Sequence, residues 1–198
     1  FLDSIEKKKI IFLLKKNLIK YIPYLKKGTD LESQLFHDQL IKLRKKRGGS
    51  IFGEIYDKIN LCSDLRSIFY QEKFLKLFKS ILKTNEIYLN GFMCRFDFPN
   101  DTRNSLSWHQ DAPYYMQTFP NFNSGVCWMP VTNNTEENGT LQFIPGSNKK
   151  YLRSKYVSKD DHSTSQYFLK ISLNKKKKIK NLIQNFGDVS LLHMNLIH

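Results

Sequence analysis

The chain has 198 residues, is 40% hydrophobic and 14% aromatic, and carries a formal charge of +14. That length suits one domain with a sizeable core, and the aromatic content excludes a disordered chain. The three cysteines, Cys62, Cys94 and Cys127, form no CxxC and no pairing pattern, which excludes a disulfide scaffold and a thiolate zinc site and points to a reducing cytoplasm.

The first element is an amphipathic helix. From Ile5 to Leu25, apolar residues cluster at helical spacing (Ile10, Ile11, Leu13, Leu14, Leu18, Ile22) with lysines between them, and Pro23 ends the run. Such a helix either packs one face against a sheet, the favoured reading, or lies on a membrane surface. Its longest apolar run, Ile10–Leu14, is far short of the ~20 residues that span a bilayer, and no signal-peptide pattern precedes it. A second helix is expected over Leu31–Arg47, stopped at Gly48-Gly49, and a third over Glu72–Lys83, so that residues 1–85 form a mainly helical portion.

From Glu86 the pattern changes. Short runs rich in aromatic and β-branched residues, Ile87–Phe98, Gly125–Val131, Thr140–Ile144 and Gly187–His193, alternate with Pro, Gly, Asn and Asp. This spacing predicts a sandwich or barrel over residues 86–198. Residues 149–180 read as a polar insertion, a loop or lid, with Lys175–Lys178 as a loop. Charge is concentrated outside this β core: residues 1–50 hold 13 Lys/Arg against 5 Asp/Glu, and residues 149–180 hold 11 against 2. Such runs can bind nucleic acid or anionic lipid, but lysine-rich solvated faces are the plainer reading, and only weak, non-specific nucleic-acid binding is expected. Asn133-Asn134-Thr135 and Asn138-Gly139-Thr140 match the glycosylation sequon and read as turns.

The chemistry centres on Trp108-His109-Gln110-Asp111. On a strand, His109 and Asp111 point the same way, so an imidazole and a carboxylate can hold adjacent positions on a metal. Two histidines and one carboxylate on one face of an octahedron leave three positions open, which suits non-haem Fe(II) oxygenases. Zinc favours tetrahedral sites with at most one open position. The third ligand must come from His162, His193 or His198. His162 lies in the polar insertion, while the Gly187-Asp188 turn and the apolar strand after it can return His193 or His198 to a barrel core.

Four motifs carry a resemblance to a known family: Ser107-Trp108-His109-Gln110-Asp111, Val126-Cys127-Trp128-Met129-Pro130-Val131, the run from Glu137 through Pro145-Gly146-Ser147-Asn148, and the closing Gly187-Asp188…His193…His198. In order and spacing they resemble the phytanoyl-CoA dioxygenase family of Fe(II)/2-oxoglutarate oxygenases, over roughly Met93 to His198. The resemblance implies a double-stranded β-helix, a jelly roll like that of the cupins, with flanking helices. It implies His109, Asp111 and His198 as iron ligands, with His193 as a pocket neighbour or core residue, and Trp128, Met93 and Lys58 as contacts to 2-oxoglutarate. It further implies O2 as oxidant, succinate and CO2 as products, and a small organic substrate, hydroxylated rather than halogenated because related halogenases lack the Asp111 carboxylate. The basic segment 149–180 can steer an anionic substrate.

Two departures stand out. Asn148 replaces the family's usual histidine, at a position that is not a ligand. The chain, which reads as a fragment open at both ends, stops at His198 before the arginine that in relatives pairs with the far carboxylate of 2-oxoglutarate, so this fragment is expected to bind cosubstrate poorly. An inactive jelly-roll module that binds a metal or ligand is the competing reading.

Overall fold

A computed structural model describes residues 1–22, 30–31, 33–96, 106–115, 123–157 and 166–198. The chain divides into two compact units, Phe1–Phe96 and Asp97–His198.

The first unit is helical. Helix α1 (Ser4–Leu18) starts at Asp3, whose carboxylate accepts the Ile5 and Glu6 N–H groups while Glu6 reaches back to the Asp3 N–H. This capping box satisfies donors that a helix start otherwise leaves unpaired. Helix α2 (Gln34–Arg47) is capped by the Ser33 hydroxyl and ends at Gly48, whose φ of 74° suits a residue without a Cβ. Helices α3 (Ser50–Asn60), α4 (Ser63–Phe69) and α5 (Glu72–Leu82) complete the unit. Its core is apolar: Ile10, Leu13, Leu14 and Leu18 of α1, Ile51, Ile55 and Ile59 of α3, Leu65 and Ile68 of α4, and Phe74 of α5. The inner face of α1 meets helices α3 and α4 rather than a sheet. The expected stop at Pro23 lies outside the described residues. Over residues 87–96, expected as a strand, the backbone joins no ladder among the described residues.

The second unit is built from short antiparallel strands. Strand β1 (Gly125–Trp128) pairs with β6 (Ser190–His193), β2 (Gln142–Phe143) with β5 (Lys180–Asn181), and β3 (Lys155–Val157) with β4 (Gln166–Phe168). The insertion is thus not loop throughout. It carries the β3–β4 hairpin, and helix α6 (Leu173–Lys176) begins the lysine run. Backbone bonds extend order beyond these ladders. The Met194 N–H donates to Ser124, and the Ala112 N–H donates to Met194. The Ile144 N–H donates to Ile197, and His109 and His198 exchange bonds in both directions at 3.0 and 3.1 Å. The chain end, 194–198, therefore runs between the 109–112 segment on one side and the start of Pro145-Gly146-Ser147 on the other. Ile144, Leu169 and Ile197 form a buried cluster beneath it, with Trp108 packed against them.

Candidate metal centre

The reciprocal backbone bonds make His109 and His198 a directly opposed antiparallel pair, so their side chains leave the backbone on the same face. Asp111, two residues after His109, shares that face. One ligand atom from each of the three residues lies within 4.8 Å of the others. The His109 Nε2 is 3.7 Å from one Asp111 oxygen, and the His198 Nε2 is 3.7 Å from the other. That spacing is too long for a hydrogen bond and fits donors gathered about one ion with bonds of ~2.1 Å.

Each imidazole is oriented from behind. The His109 Nδ1 sits 2.7 Å from the Ser107 carbonyl, and the His198 Nδ1 sits 3.0 Å from the Leu196 carbonyl. A carbonyl only accepts, so each Nδ1 carries a proton, which leaves Nε2 as the ring nitrogen that can ligate a metal. Burial lowers the pKa of His198 below its ordinary 6.5, against the opposing pull of the Asp111 carboxylate, which favours a neutral ligating ring. His109 is 5% exposed. The donor set therefore fits a divalent metal: two imidazoles and one carboxylate, with the Nδ1 of each ring tied to a backbone carbonyl.

Gln110, between two members of the cluster, is fully buried and faces the other way. Its Nε2 donates to the Lys150 carbonyl at 2.8 Å and the Asn195 carbonyl at 2.6 Å, and its Oε1 accepts the Leu152 N–H at 2.8 Å. It clamps the His109–Asp111 segment to the chain end and to the start of the insertion. Gln110 stands inside a motif whose residue types do not reveal its role; its only local signal is an amide alternating with two ligand-type residues. Tyr114 is a second residue the sequence did not single out. Its ring meets His109 edge-on at 5.9 Å and Tyr167 at 4.9 Å, and its hydroxyl accepts the Tyr167 N–H, which anchors the β3–β4 hairpin beside the cluster.

The other expected residues are placed as follows. Trp128 shares a face of β1 with Val126, and Val126 packs on Ala112 and Met194 next to Asp111. His193 lies on β6 opposite Gly125, its Nδ1 accepts the Asn195 N–H, and it is not a member of the cluster. Lys58 lies on α3 with its ammonium 5.4 Å from the centre of the Tyr21 ring, and Met93 is 56% exposed, both in the first unit. His162 lies outside the described residues.

Among the described residues, no helix is long and apolar enough to cross a membrane. No curated protein and no solved structure matches the chain. The family model for phytanoyl-CoA dioxygenase (PhyH) matches residues 27–198, a span that takes in every member of the His–Asp–His cluster, and by that match the chain belongs to the phytanoyl-CoA dioxygenase family.

Proposed function

We propose that the chain is a non-haem Fe(II) oxygenase that uses 2-oxoglutarate as cosubstrate to hydroxylate a small organic molecule. The observation that carries this reading is the cluster itself: two imidazole nitrogens and a carboxylate gathered within 4.8 Å of one another, the two-histidine, one-carboxylate donor set of non-haem Fe(II) oxygenases. Bound there, Fe(II) would supply O2 activation coupled to oxidation of 2-oxoglutarate to succinate and CO2. The chain's part is to orient His109 and His198 as ligands through their Nδ1–carbonyl bonds and to fill the third position with Asp111. That carboxylate favours hydroxylation over halogenation. Trp128, on the strand face that packs toward Asp111, contacts the cosubstrate in this reading, and Met93 and Lys58 join it by the family resemblance. The short antiparallel strands of the second unit are parts of a double-stranded β-helix. Tyr114 holds the hairpin bearing Lys155 beside the cluster, which supports an anionic substrate.

Anaerobic titration of the chain with Fe(II), then 2-oxoglutarate, tests the reading. Iron is expected to be retained by the parent chain and lost in Asp111→Ala, with a visible charge-transfer band on adding 2-oxoglutarate to the iron-loaded parent. A parent chain that retains no iron would show a binding module without the metal centre. For the substrate, turnover of an anionic compound is expected to fall with added salt while that of a matched neutral compound does not. Equal salt responses would remove the steering role of the hairpin.

A further inference from the structure

Helix α1 buries one face and leaves another exposed among the described residues. Ile10, Leu13, Leu14 and Leu18 are 1–4% exposed and build the core of the first unit. On the outside, Ile5, Phe12 and Ile19 are 76%, 63% and 52% exposed. They are spaced seven residues apart, and the backbone is still helical at Ile19. A straight helix drifts only ~20° per heptad, so the three side chains lie along one line, roughly 21 Å long at 1.5 Å per residue. Lys8, Lys9, Lys16 and Lys20 are also exposed and fall on the same face, on both flanks of that line. The nearby acids are turned to other work: Asp3 caps the helix, and Glu6 binds the Asp3 N–H and the Lys73 ammonium. The exposed face of α1 thus combines an aliphatic–aromatic ridge with four cations and no carboxylate.

We propose that this face is a docking surface for an anionic lipid bilayer, with Ile5, Phe12 and Ile19 entering the headgroup–acyl boundary and the lysines pairing with lipid phosphates or carboxylates. Charge complementarity selects this occupant. A second copy of the chain would set four lysines against four. A nucleic-acid duplex would satisfy the lysines and leave the apolar ridge unused. Lysines flanking an apolar line match the interfacial arrangement, since their methylene stems lie along the apolar layer while the ammonium stays in the headgroups. The surface belongs to the helical unit alone and is independent of the metal-centre reading.

The test is flotation of the whole chain with vesicles of phosphatidylcholine alone and of phosphatidylcholine mixed with phosphatidylserine. Two variants accompany the parent: Lys8→Gln/Lys9→Gln/Lys16→Gln and Ile5→Gln/Phe12→Gln/Ile19→Gln. All six sites face solvent, so far-UV circular dichroism is expected to match the parent. The parent is expected to float with the mixed vesicles only, and to be released by high salt. The lysine variant is expected to lose about 100-fold in partition, and the apolar variant to stay in solution. Failure of the parent to bind the mixed vesicles would overturn the proposal. So would equal binding by parent and both variants, which would place the contact on another surface. Loss in the lysine variant only, matched by its loss on a DNA duplex, would reassign the face to general polyanion adsorption. A parent dimer that the apolar variant abolishes would reassign it to self-association.

Discussion

Gln110 is the residue on which the geometry of the cluster most depends without being part of it. Replacing it with Leu, of similar size, removes the partner of the Lys150 and Asn195 carbonyls and of the Leu152 N–H around a side chain that is itself fully buried. Each orphaned group costs about 1–3 kcal/mol, so Gln110→Leu is expected to destabilise the second unit by about 3–5 kcal/mol in urea unfolding. It is also expected to weaken Fe(II) affinity of the folded protein by roughly 10–100-fold, as loss of a supporting shell does. Asn134 is the control. It makes an equivalent clamp, donating to Thr140 and the Leu182 carbonyl and accepting from Gln184, but it touches no part of the ligand segments. Asn134→Leu is expected to cost similar stability while leaving the metal affinity of the folded fraction unchanged; equal losses of affinity in the two variants would assign Gln110 a purely structural role. The three clustered residues were legible in the sequence because His109 and Asp111 are two apart and the motif order placed His198. The clamp was not, because its partners are main-chain groups 40 to 85 residues away, and main-chain groups leave no trace in residue identity.

At the scale of elements, packing decides which short segments hold. Helices α1, α2 and α5 were readable from periodicity. Helix α3 was not, although Ile51, Ile55 and Ile59 recur every four residues, because Gly53 interrupts it and α4 is only seven residues long. Those isoleucines are nonetheless central, since Ile55 is fully buried. Ile55→Ala is expected to cost about 2–5 kcal/mol in the helical unit, read by helical circular dichroism in urea. The opposite fault applies to residues 87–96. Their composition favours a strand, but propensity describes a pleated surface and carries no information on pairing. In the second unit, the β1–β6 pair has a tight spot at Gly125, where an added Cβ would meet the Leu191 Cδ1 and the Leu192 carbonyl oxygen at 2.9 Å. The side chain can turn away, but the backbone oxygen cannot move without breaking the ladder. Gly125→Ala is therefore expected to destabilise that unit by about 1–3 kcal/mol. A variant as stable as the parent would mean that the strands separate at this point without cost.

Across the whole molecule, each compact unit carries a thiol whose titration reports on it, in addition to Cys62 in the first. Cys94 lies in the first unit and Cys127 on β1 of the second, and burial pushes each thiol up from an ordinary 9.0 to about 11. The consequence has a definite sign. Below pH 9 the folded and unfolded chains both keep these protons, so stability is complete. Between 9 and 11 the unfolded chain releases them while the folded chain holds them, so the folded state binds more protons and loses stability as pH rises. Tyr114 is shifted up by burial too, and its titration acts in the same direction, so the parent's pH profile alone does not isolate the thiols. The comparison of parent and variant does. The urea midpoint of each unit is expected to fall over this window. Cys94→Ala is expected to flatten the fall in the helical unit, and Cys127→Ala in the strand-built unit, with no exchange between them. At neutral pH the same two thiols are expected to alkylate more slowly in the folded chain than after urea opens the unit that holds them, since the raised pKa of each leaves little thiolate while the chain is folded. Labelling of Cys127 in the folded chain as fast as in urea would show that its thiol keeps an ordinary pKa on β1, and the expected loss of stability of the strand-built unit between pH 9 and 11 would then be absent.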